Sequence, residues 1–120
     1  MHTNMIGDTE HIDHDLPLAI ADELNRMKVN LHHIPADVRG YKQLCRCVER
    51  METALQAFGY EVVNHLGQEY TDGMKVMANF VIDEQMSSDE APRITNVTRP
   101  QVNYQGRMIQ VAQVTVSQPF

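Results

Sequence analysis

Tryptophan is absent from this 120-residue chain, aromatic residues make up 6%, and cysteine occurs twice. Two cysteines with no further partners leave no zinc set of the finger or ribbon kind. Cys45 and Cys47 stand one residue apart, and on a helix their side chains diverge by about 200°. They are therefore expected as free thiols, as a reducing compartment would keep them. No apolar run approaches the roughly 18 residues of a membrane span, and no signal-peptide pattern opens the sequence, so a cytoplasmic location with no membrane partner is expected. Lys and Arg nowhere cluster, and the net charge is -6, which argues against a nucleic-acid surface. GxSxG, GxxxxGK[ST], HExxH and CxxC are missing as well. No catalytic residue, cofactor or metal is assigned, and a chain without such chemistry is expected to work by contact rather than as an enzyme.

What is present begins with a globular apolar fraction of 42% and eight methionines, enough for one domain or two small lobes. Residues 1–14 are polar and carry no sustained period, which reads as a mobile tail. Within it His11 and His14 are three apart, the spacing of a helical chelate, but without supporting ligands they read as solvated. Asp15 then looks like an N-cap with Pro17 in the first turn. Leu16, Ile20, Leu24, Met27 and Leu31 form one helical stripe. His32-His33-Ile34-Pro35 breaks it, and a second helix is expected from Asp37 as N-cap to a stop at Gly59. Its apolar positions Tyr41, Leu44, Val48, Met51, Leu55 and Phe58 alternate spacings of three and four, a heptad seam. Helices of about 16 and 20 residues on a short linker make an antiparallel hairpin. Narrow seams close most simply against a second copy, giving a homodimeric four-helix bundle. The alternative is that the pair packs on the β lobe of its own chain.

After Gly59 the period changes. Tyr60, Val62 and Val63 enter a short strand, residues 74–82 read as another, and residues 83–92 form an acidic surface loop. Residues 93–98 alternate, with Ile94 and Val97 inward. Residues 99–116 read as a hairpin: residues 100–104 run in, Gln105-Gly106 turns, and residues 107–116 run out as one strand. Gly106 supplies a positive φ, and Arg107 stands exposed at the tip. Met108, Gln110, Ala112, Val114 and Val116 share one face. The expected fold class is α+β: tail 1–14, helical hairpin 15–59, β wing 60–120.

Two segments, ERMETALQAFGYEVVNHLGQEYTDG and VTRPQVNYQGRMIQVAQVTVS, together with the earlier LPLAIADELNRM, resemble the GrpE family across residues 16–117. Those proteins are nucleotide exchange factors for DnaK-type chaperones. The resemblance implies a homodimer built on a four-helix bundle, here through Leu16, Ile20, Leu24, Met27, Tyr41, Leu44, Val48, Met51, Leu55 and Phe58. It implies a β wing that contacts the chaperone's nucleotide-binding domain through Arg107, Gly106, Met108 and Val116. An arginine engages carboxylates bidentately, and a partner that prefers the open cleft weakens nucleotide binding by linkage.

The sequence also departs from that family. Few residues precede Leu16 where relatives carry a long stalk helix, so functions resting on the stalk are not expected. Tyr70-Thr71-Asp72-Gly73-Met74 replaces an Asp-Pro segment, Gln43 stands where relatives often place glycine, and the loop 83–90 is longer. These departures keep open a second reading, an adaptor on the same fold without exchange activity. A third, an enzyme or metal protein, would have to use His65 beside Asn64 and Glu61.

Overall fold

The computed structural model describes residues 12–120, so His11 lies outside it. Two helices, α1 (Asp15–His32) and α2 (Tyr41–Ala57), are followed by six strands: β1 (Tyr60–Val63), β2 (Val76–Ile82), β3 (Arg93–Arg99), β4 (Gln101–Tyr104), β5 (Arg107–Gln110) and β6 (Ala112–Gln118). The class is α+β. None of the helices among the described residues is long and apolar enough to cross a membrane.

Both helix starts differ from the sequence expectation. Asp15 is the first helical residue rather than the cap, and its N–H donates to the Asp13 carboxylate at 2.8 Å, a local side-chain acceptor for a donor the helix cannot satisfy. The second helix begins at Tyr41, four residues after Asp37. Bonds from Val38 N–H to Pro35 O and from Tyr41 N–H to Val38 O wind residues 35–41 into turns first. Gly40 then reverses the chain at φ +89°, a conformation that glycine adopts without steric cost. Gly59 ends α2 as expected, at φ +95°, and a Cβ there would sit 3.2 Å from the Tyr104 ring.

The strands form two three-stranded sheets, ordered β1-β4-β5 and β2-β6-β3. In the first, Tyr60 pairs with Tyr104 and Val62 with Val102. In the second, β6 runs parallel to β2 and antiparallel to β3. The outgoing arm of the terminal hairpin is thus not one strand. It breaks at Val111, where the chain leaves the first sheet and enters the second. A register shift between Val102 and Asn103 accompanies that departure, as bulges do where a strand is bent away. Ile94 and Val97 face inward as expected.

Two cores follow from this layout. Ala21, Leu24, Leu31, Val48, Leu55, Tyr60 and Val102 join the helices to the first sheet. Ile94, Val97, Ala112, Val114 and Val116 fill the second sheet, with Leu66, Tyr70 and Met74 packed against them. Burying each leucine or valine contributes about 1.5–3 kcal/mol. Polar bonds fix the helices to the wing. Asn25 Nδ2 donates to Val97 O at 2.8 Å, and Gln110 Nε2 donates to Asp22 Oδ1 at 3.0 Å and to Pro100 O at 2.9 Å. Arg99 reaches Asp22 at 3.6 Å. The helical pair therefore does pack on the β lobe of its own chain. The molecule is flat, with extents of 61 × 39 × 16 Å, so much of each helix keeps a face toward solvent.

Candidate partner-contact surfaces

The first surface is the β4–β5 tip. Tyr104 pairs with Arg107 across the two-residue turn Gln105-Gly106. Both turn residues have positive φ, +49° and +83°, the geometry whose twist suits an antiparallel hairpin. Gln105 holds it although it is not glycine, because its N–H donates to Gly59 O at 2.9 Å. The tip is thereby tied to the end of α2. Arg107 is exposed and makes no ion pair among the described residues. Met108 beside it is 41% exposed. Together they present a cation next to a soft apolar patch.

Val116 does not belong to this surface. It is 0% exposed, at the centre of the second sheet, and can reach no partner directly. It shares the inward phase of Gln110, Ala112 and Val114, and that phase carries it beneath β3, where it pairs with Ile94.

His14 also differs from expectation. Far from trailing as a tail residue, its Nδ1 is hydrogen-bonded to the Tyr60 hydroxyl at 2.7 Å, and its ring lies 4.8 Å from that of Tyr104. Burial, and after it the nearby Tyr104 and Asp13, push the Tyr60 hydroxyl above its ordinary pKa. A cleft lined by Ile12, His14, Tyr104, Arg107, Met108 and Ile109 runs from this cluster to the tip. Nothing in the periodicity of the N-terminal residues marked His14 as structural.

The second surface is the outer face of the helical hairpin. The residues expected at a dimer interface divide into two groups. Leu24, Val48 and Leu55 are buried inside the chain, and Tyr41 packs half-buried against them; these hold the hairpin together and are not free to meet a second copy. Leu16, Ile20, Met27, Leu44, Met51 and Phe58 stay exposed, Leu16 by 71% and Phe58 by 79%. They line two grooves between the helices. One, near the wing, involves Leu16, Pro17, Ile20, Met51, Ala54 and Phe58; the other, near the linker, involves Met27, Ile34, Leu44 and Cys47. Ile34 was legible only as a linker residue, though it follows Leu31 by three and so continues the stripe of α1.

His65 lies elsewhere, 8% exposed in the segment that follows β1, with Nδ1 bonded to nothing among the described residues. Burial pushes its pKa below the ordinary histidine value. Among the described residues no three His, Cys, Asp or Glu side chains gather as a metal site, and both cysteines are free. No family model and no curated protein matches the chain.

Proposed function

We propose that this chain is a GrpE-like cochaperone that promotes ADP release from a DnaK-type chaperone in the cytoplasm. The observation that carries the reading is the joint placement of its two surfaces. An exposed arginine tops a twisted hairpin, and that hairpin is bonded through Gln105 to the end of a helix whose outer face is apolar. The exposed side chains of Leu16, Ile20, Met27, Leu44, Met51 and Phe58 support a homodimer that closes as a four-helix bundle. The hairpin tip is then the part left to meet another protein. Arg107 offers bidentate bonds to carboxylates on the chaperone's nucleotide-binding domain, and Met108 offers adaptable apolar contact. Binding the open cleft more tightly than the closed one lowers ADP affinity by the same factor, so no catalytic residue is required. The test is ADP release from a DnaK-type chaperone with and without the protein.

One observation favours the adaptor as a second reading. With Val116 in the core, the tip is a smaller contact surface than the resemblance implies. In that case the tip binds a divergent chaperone-like ATPase and leaves its ADP release rate unchanged.

A further inference from the structure

The second sheet has two unequal edges. The outer edge of β3 is covered by the segment before β2: Ile94 N–H donates to Gln68 O at 2.8 Å, Gly67 N–H to Ile94 O at 2.9 Å and Tyr70 N–H to Pro92 O at 2.8 Å, with a bridge between Glu69 and Arg93. The outer edge of β2 has no backbone partner among the described residues. Folded proteins usually guard such an edge with a proline, a bulge, an inward charge or a covering segment. Here the strand is seven residues long, pairs with β6 without a register shift, and exposes Met77, Phe80, Val81 and Ile82.

We infer that the free edge of β2 pairs antiparallel with β2 of a second copy, with Asn79 opposite Asn79 on the two-fold axis. The sequence around that axis is self-complementary. Asn79 is the central residue of Val76–Ile82. In this register Met77 and Val81 meet each other's counterparts on one face, and on the face shared with Val114 and Val116, Val76 and Ala78 meet Ile82 and Phe80. Just beyond the strand ends, Lys75 falls opposite Asp83. Asp83 continues the ladder, its N–H donating to Gln118 O at 2.9 Å, so its position relative to the strand is set. Neither Lys75 nor Asp83 has an ion pair among the described residues. Two opposite-charge pairs, two apolar pairs on one face, four on the other and a central amide pair are what stabilise an antiparallel edge. Moving the centre to Ala78 or Phe80 keeps the faces but places Lys75 opposite Val81 or Gln85, so charge selects the Asn79 register. Glu84 falls opposite Met74, which avoids a like-charge clash.

The contact is independent of the helical face. With both in use, one chain carries two isologous surfaces, and the assembly is a closed tetramer or an open chain according to how the two axes meet.

The test is cross-linking of the full chain carrying Asn79→Cys, with Cys45→Ser and Cys47→Ser, under a mild thiol oxidant such as diamide. Directly opposed residues in an antiparallel pair have Cα atoms about 4.5–5.5 Å apart, within disulfide reach. The expected result is rapid formation of a linked dimer. Lys75→Glu in that background should slow it by about five-fold or more, and adding Asp83→Lys should restore it. A Ser88→Cys control, on the exposed loop, should link slowly. Linking at position 79 no faster than at position 88 would overturn the inference and leave the edge to a strand of another protein. Linking that ignores the charge reversal would overturn the register and the inference with it. Adding Phe58→Asp, which opposes the helical dimer, should leave the linking at 79 intact.

Discussion

Asn25 on α1 donates from Nδ2 to the carbonyl oxygen of Val97 on β3 at 2.8 Å, a buried bond between residues 72 apart in sequence. It closes the angle between the helical pair and the wing, because Val97 is itself part of the second core. Asn25→Ala removes the donor and leaves a buried carbonyl without it, at a cost of about 1–3 kcal/mol. Urea unfolding followed by circular dichroism measures this, and an unchanged midpoint would mean that the bond does not hold the wing.

The two groups of seam residues should behave oppositely. Leu24→Ala opens a cavity in the first core and should cost about 2–5 kcal/mol of stability. Leu44→Asp and Phe58→Asp sit on exposed side chains and should leave the unfolding midpoint nearly where it was. They should instead remove the helical contact and reduce the assembly to the pair held at the β2 edge, read by light scattering at micromolar concentration. A wild-type protein no larger than these variants would rule out the bundle.

His65 sets a pH dependence. Its folded-state pKa is lowered by burial, so the unfolded chain binds the proton more readily. Its contribution is fully present above the ordinary value near 6.5 and is lost as pH falls through the depressed folded value. Urea midpoints should therefore decline on going from neutral pH to about pH 5.5, and His65→Leu should flatten that part of the profile. An identical slope in the variant would assign the decline to other groups.

At the tip, conformation and contact separate. Gly106→Val forces a branched residue to φ +83°, costing on the order of 1–2 kcal/mol. Arg107→Ala removes an exposed side chain with no ion pair among the described residues and should shift stability by no more than about 0.5 kcal/mol. Its effect should fall on binding to a DnaK-type chaperone, measured by interferometry.

The helices, their apolar stripes and the α+β layout were readable because a period of 3.6 or 2 reports which face is buried. The stripe did not say which of its members face inside the chain. Leu24 and Leu16 belong to one stripe yet end at opposite extremes of exposure, since the partner helix covers only one side of it. The break at Val111 was hidden for a related reason. The inward phase of Gln110, Ala112, Val114 and Val116 continues unbroken while the chain changes sheets, so alternation alone reads as one strand. Helix starts were misplaced by cap residues that recur in turns: Asp37 lies inside the turn from Pro35 to Val38, and Gly40 begins the helix. His14 and the open edge of β2 depend on contacts, present or missing, between segments far apart in sequence, and local patterns carry no record of those.

Exchange by contact is tested most directly by stopped-flow release of a fluorescent ADP from the DnaK-type chaperone of the same cell. Acceleration is expected from the wild-type protein and from Asn79→Cys kept reduced, and is expected to be lost in Arg107→Ala, which stays folded. Binding of the chaperone with no change in ADP release by the wild-type protein would contradict it.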